Sequence, residues 1–299
     1  MALDQVDVDA TPEIEGKEMS FLDHLEALRW HLVRIIVSIL GAAIVVFIAK
    51  DFVFRNIVFG PRYKDFLTYR VLCSISEATC IDPPQFSIAT REVGEAFMMH
   101  MMVSFWIGFV VAIPVVLWEI WKFIKPGLYP KEQKAASGFV VICTLLFVVG
   151  VLFGYYIVAP LAISFLAGYT IDGVAAQPTL SSYVDSMVMF TLPIGLVFEL
   201  PVIVYYLAKI GLLTADFMKT YRRHAAVVLL IIAAVVTPSP DVASQMLVFV
   251  PLYLLYEISI YVARRVQNQL EAEEALAEKE LIANEERMKL NQPTDEANS

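Results

Sequence analysis

Phe123-Ile-Lys-Pro-Gly-Leu-Tyr-Pro-Lys-Glu132 joins two long apolar runs. Pro126 and Gly127 stop a helix, and the Lys131–Glu132 pair is polar before the next apolar run begins. The run before this stretch brings the chain to one face of a membrane, and the run after it leaves from the same face. A connector between two spanning helices needs only polarity, yet this one also carries aromatic and acidic side chains.

The composition agrees with a membrane reading. Hydrophobic residues make up 58% of the 299 and charged residues 18%, and mean hydropathy is +0.66. By length alone about two soluble domains would be expected. Recurrent apolar runs of spanning length point instead to an all-α polytopic membrane protein. A β-barrel would show short alternating segments, which are absent.

The net charge of −9 is concentrated at the two ends. Residues 1–19 hold six acids against Lys17 alone, and residues 263–299 hold nine acids against five bases. An acidic start without an apolar stretch does not fit a signal peptide. No basic patch interleaved with aromatics is found, so nucleic acid is not an expected partner. The division is an acidic disordered tail over 1–19, a membrane domain over 20–265, and an acidic helical or disordered tail over 266–299.

Ser20-x-x-Asp23 opens the first helix as a capping box. Phe21, Leu25, Leu28 and Leu32 recur at helical spacing and form one apolar stripe, with Asp23, Glu26 and Arg29 off it. That helix starts amphipathic and becomes apolar over 32–49, the first span. A polar connection over 50–92 follows, containing Cys73 and Cys80. If it faces an oxidising compartment, a disulfide between those two is expected; otherwise they stay reduced. Cys143, within an apolar run, reads as a small core residue.

Further spans are expected over 94–121 (interrupted by Pro114), 137–167, 186–210, 225–236 and 246–262, making six. Ser181–Asp185 is expected to cap the fourth. The twelve residues of the fifth cover only about 18 Å of a core of about 30 Å. Either that helix borrows residues from Tyr221 onward, or the bilayer thins beside it.

Lysine and arginine counts orient the spans. The 122–134 connector and the 209–223 turn carry four each, whereas 168–185 and 237–241 carry none. Both termini are therefore expected in the cytoplasm, although the first outer loop holds Arg62, Lys64, Arg70 and Arg91.

No hydrolase, nucleotide-binding or metal-ligand motif occurs, so neither enzyme activity nor a cofactor or metal is expected. His24 and His31 lack a third ligand partner, and His100 reads as a packed residue. Glu119 and Glu257 lie near span ends and are expected to snorkel to the interface. Glu199, between Pro193 and Pro201, is the mid-span exception. A carboxylate there costs about 2.5–3.5 kcal/mol on insertion scales, so it should face the bundle interior or a wet cavity. It serves either an internal hydrogen bond or a polar contact for a substrate or partner helix.

Four segments resemble TatC, the multi-spanning receptor subunit of the twin-arginine protein translocase. They are Ser20-Phe-Leu-Asp-His-Leu-Glu-Ala-Leu-Arg29, Trp118 to Glu132, Phe198-Glu-Leu-Pro201, and Thr237-Pro-Ser-Pro-Asp-Val-Ala-Ser-Gln245. They stand in the family's order across residues 19–265. The resemblance implies a concave six-helix bundle that binds twin-arginine signal peptides of folded cargo on its cytoplasmic face. Glu132 and Phe123 match the family's acid and its aromatic neighbour, and Leu25, Glu26 and Arg29 belong to the leading motif. Where that motif carries a second acid, this chain has Ala27. Either the adjacent Glu26 substitutes by a small rotation, or recognition rests more on Glu132.

The resemblance also implies that Glu199 docks single-span TatA/TatB-type subunits, with Gln245 as a further intramembrane polar group. Pro126, Pro238 and Asp241 then shape the turns, and the bacterial cytoplasmic (inner) membrane is the expected location. The competing class is a proton-coupled transporter of a small solute, with Glu199 as the coupling acid. Repeated halves and a second broken helix, common in such transporters, are missing.

Overall fold

The computed structural model describes residues 21–75, 80, 83, 86–124, 136–168, 177–236 and 242–290. The acidic start, the connector with Pro126 and Glu132, the turn with Pro238 and Asp241, and the last nine residues lie outside the described residues. The elements are α1 (Phe21–Ile48), α2 (Lys50–Phe52), α3 (Leu67–Ile75), α4 (Glu95–Ile124), α5 (Ala136–Phe153), α6 (Ala159–Gly168), α7 (Leu180–Val197), α8 (Leu200–Lys209), α9 (Ala215–Thr220), α10 (Arg222–Val236) and α11 (Val242–Leu290). Among the described residues, four segments are long and apolar enough to cross a membrane: Leu28–Ile48, Glu95–Phe123, Val140–Gly168 and Leu180–Lys209.

α1 runs against α4 in the most extensive helix–helix contact of the molecule. In lipid there is little hydrophobic drive between helices, so close van der Waals packing must hold such a pair. A small residue makes the approach possible. A Cβ on Gly108 would meet the backbone nitrogen of Ala43 at 2.6 Å, and nothing smaller than glycine is available. Toward the far end of the pair, His100 is buried, stacks on Phe47 at 4.0 Å and hydrogen-bonds the Phe47 carbonyl at 3.0 Å. That histidine is a packing residue, as its surroundings in the sequence suggest.

The end where α1 starts and α4 finishes is the proximal end; the opposite, distal end carries a folded cap. After α2 the chain makes a π-helical turn (Val53–Val58) and a 3₁₀ turn (Gly60–Arg62) before α3. Tyrosines from the bundle fasten it. Tyr155 donates to the Ile57 carbonyl at 2.8 Å, and Tyr183 donates to that of Val58 at 2.9 Å. The Arg62 guanidinium lies over the Phe86 ring, 5.2 Å from its centroid, and hydrogen-bonds the Phe86 carbonyl. Cys73 is bonded to Cys80 beyond α3.

α5 and α6 are one long element interrupted by a π-helical turn (Gly154–Val158). The cause is Pro160, which has no N–H for the carbonyl of Tyr156 four residues earlier. Thr68 of the cap donates its hydroxyl to that carbonyl, so the freed acceptor is satisfied from outside the helix.

α7 begins at Leu180, six residues before the expected start at 186, and Ser181–Asp185 form its first turns rather than its cap. Thr179 is the N-cap, accepting from the Ser182 amide at 3.2 Å, while Glu95 of α4 accepts from the Ser181 amide at 2.9 Å. Two acceptors at neighbouring amides stabilise the earlier start. The helix then breaks at Phe198–Glu199, and α8 restarts with Pro201 in its first turn.

α10 has 15 residues and does borrow from Arg222 onward, reaching about 22 Å. α11 runs unbroken for 49 residues, combining the last apolar run with the acidic segment, whose residues 271–287 are exposed. Near the proximal end α11 packs on α8 and α9 through Ala208, Met218, Ile260 and Ala263.

The glycine contact gives a direct test. Gly108→Ala should lower stability in detergent by about 1–3 kcal/mol, because the new methyl meets backbone that cannot yield. Gly41→Ala, with open space around it, should be neutral or slightly stabilising by helix propensity. Thermal unfolding of the two variants checks the pair.

Candidate functional site

The proximal ends of α1 and α4 meet around one carboxylate. Glu119, one and a half turns before the end of α4, is only 5% exposed. The sequence expectation that it snorkels to the interface is corrected here: it stays inside because cations come to it. His31 Nδ1 of α1 lies 2.7 Å from its Oε2, and Lys122 Nζ donates to Oε1 at 3.0 Å. Arg34 of α1 reaches Oε2 from the surface at the looser distance of 3.5 Å. A carboxylate with both oxygens occupied by cationic donors can remain where an unpaired one could not.

The same cluster orders aromatic groups. The His31 ring stands edge-on to Phe123 with centroids 6.1 Å apart, and the Lys122 ammonium lies 5.5 Å from the centre of the Trp118 ring. Glu119 and Phe123, four residues apart, share a face of α4. Phe123 is half-buried, whereas Glu26 and Arg29 are exposed on the first turns of α1. Leu25 lies within α1 with its side chain outside the described ones. So Phe123 sits in the cluster, and Glu26 and Arg29 are exposed on α1.

Glu199 occupies a second position, at the break between α7 and α8. Its carboxyl is half-buried, and Oε1 is enclosed by protein with no hydrogen-bond partner among the described residues. The Cys143 thiol of α5 is a polar neighbour of the carboxyl. The surrounding backbone is tight, since a Cβ on Gly150 would meet the Phe198 ring at 2.7 Å. Gln245 of α11 donates to the Leu230 carbonyl of α10 at 3.2 Å, which clasps the last two helices together.

A cavity of about 480 Å³ opens in the distal half between the cap, α4, α5 and α7. Trp106, Leu152, Tyr156, Met187 and Thr191 are among its lining, and no charged side chain is. Glu199 does not contribute to it. Among the described residues, no group of three His, Cys, Asp or Glu side chains is placed to hold a metal ion.

Sequence reasoning placed Glu119 at the interface and missed its burial and its partners. The usable signal was their spacing: Glu119 one turn before Phe123, and His31 one turn after Ala27.

The family model "TatC: Sec-independent protein translocase protein (TatC)" matches residues 23–251. The Sec-independent protein translocase protein TatC of Blattabacterium sp. subsp. Periplaneta americana is 36% identical over 260 residues, covering 83% of this chain and 96% of the relative. Its counterpart in Carboxydothermus hydrogenoformans is 34% identical over 254 residues, with 85% and 96% covered. A solved structure, "Crystal Structure of Twin Arginine Translocase Receptor- TatC", superposes with a TM-score of 0.64 at 31% identity, covering 82% of this chain and 99% of that one.

A stability measurement separates a structural from a functional Glu199. Glu199→Leu should unfold at the same temperature as the parent chain or higher, because it removes a buried acid with an unfilled acceptor. A clear drop in unfolding temperature would mean that the carboxylate holds the bundle together.

Proposed function

Because this chain belongs to the TatC family, and is thus a membrane subunit of the twin-arginine translocase, we propose that its proximal end is the cytoplasmic receptor surface for twin-arginine signal peptides. Glu132 and Phe123 form the centre of that surface, with Leu25, Glu26 and Arg29 of α1 beside them. Two guanidiniums call for carboxylates that accept forked hydrogen bonds and for an aromatic face on which the planar groups can stack. The observation that supports this most is the antiparallel pairing of α1 with α4, which brings the leading motif and Phe123 to one end of the bundle.

The chain crosses the bacterial inner membrane six times, with both termini in the cytoplasm and the disulfide-bearing cap outside. α10 and the first part of α11 form a short final hairpin. Near mid-membrane, Glu199 offers its unfilled oxygen to a polar group on a TatA/TatB-type single-span helix. An acceptor enclosed in a low-dielectric site gains from any donor brought to it. Pro126, Pro238 and Asp241 brace the turns between spans, and Gln245 keeps the last hairpin closed.

A solute carrier coupled through Glu199 is not favoured. The cavity of about 480 Å³ is lined without a charged side chain, a second of about 460 Å³ has Arg91 in its wall, and Glu199 lines neither.

The test is binding of a twin-arginine signal peptide to the full chain in lipid nanodiscs. Exchange of both arginines for lysine should weaken binding about tenfold or more, as should Glu132→Gln, given the usual strength of charge-assisted hydrogen bonds. Equal affinity for the arginine and lysine peptides would refute the receptor assignment.

A further inference from the structure

Ala27 leaves the first helix without a carboxylate at the position where the family motif supplies one, and the structure brings another acid, Glu119 of α4, against His31 one turn further along α1. Ala27 and His31 are one turn apart on α1, about 6 Å along the axis. His31 reaches across to Glu119, which shares a face of α4 with Phe123. The geometry points to Glu119 as the second guanidinium-accepting carboxylate of this receptor, with an incoming arginine replacing Arg34 on Oε2. This inference rests on the receptor reading above and names a specificity residue within that same surface.

Arg34 marks the side from which a guanidinium can approach. The Arg34 side chain is 58% exposed yet touches a carboxylate that is almost fully buried, so a guanidinium can approach that carboxylate from outside the helix pair. Its hold is weak, a single contact of 3.5 Å. An arginine approaching in the carboxylate plane can make two shorter bonds instead. His31 and Lys122 keep the acceptor oriented from the other sides.

Charge balance makes this an exchange rather than an addition. One carboxylate already faces the permanent cations Arg34 and Lys122, and a third cation beside them would be repelled. The incoming guanidinium therefore binds as Arg34 swings away from Oε2. Lysine, a point charge without the planar fork, exchanges less favourably. The consequence for Arg34 is opposite in sign to that of a structural ion pair: removing it should help the ligand.

The experiment measures affinity of the full chain in nanodiscs for a twin-arginine signal peptide and its twin-lysine version. Glu119→Gln should weaken the arginine peptide about tenfold while changing the lysine peptide little. Ala27→Glu in that background should restore most of the loss, and Arg34→Ala alone should tighten arginine-peptide binding about threefold by removing the competitor. An unchanged arginine-to-lysine ratio in Glu119→Gln overturns the assignment, and so does weaker binding by Arg34→Ala, which is measurable even if Glu119→Gln does not fold. If the parent chain itself fails to distinguish the two peptides, the receptor reading falls with it. If the parent chain distinguishes them and the variants behave like it, only the role of Glu119 is lost.

Discussion

A carboxylate removed from water beside lipid persists only if the protein supplies it with hydrogen bonds and counter-charges, and Glu119 receives them from two helices at once. His31 and Arg34 come from α1, Lys122 from its own turn of α4. The two helices can bring these groups together because Gly108 lets their backbones approach to contact. Packing without a hydrophobic drive and satisfaction of buried polar groups are the two conditions a membrane bundle must meet. This pair meets both along one seam, and the receptor surface we propose is the proximal end of that seam.

The same two conditions organise the distal end. Pro160 removes a backbone donor, and Thr68 of the cap takes the released carbonyl of Tyr156. Tyr155 and Tyr183 hold the cap by its own carbonyls. The polar loop, whose positive charges disagree with simple counting, is therefore a packed element. Glu199 stands between the two ends as the exception, an acid with an oxygen left unfilled. Unfilled acceptors in a bundle interior are costly, and a waiting partner is a physical reason to keep one.

Much of the architecture could be read from hydropathy. The first four spans were visible as apolar runs, and their edges shifted by only a few residues, except at α7. There Thr179 is the local N-cap, and Glu95, 86 residues away from Ser181 in sequence, adds a second acceptor that no local pattern reveals. The break at Glu199 was readable from Pro201, and the extension of α10 to Arg222 was one of two open readings. Glu119 was not readable as buried. Its proximity to a span end suggested snorkelling, whereas its fate was set by His31 and Arg34, 88 and 85 positions earlier. Cys143 beside Glu199 escaped for the same reason. Local chemistry told which residues were expensive in lipid; only the fold told which neighbours compensated them.

The most direct measurement places a photo-activatable cross-linking residue at Phe123 and, separately, at the exposed Tyr63 of the distal cap. The full chain, in inner-membrane vesicles with its cytoplasmic face outward, is then offered a labelled twin-arginine signal peptide. The account predicts an adduct from position 123 that a twin-lysine peptide fails to give, and none from position 63. Adducts from position 63 alone, or equal labelling of position 123 by both peptides, would contradict it.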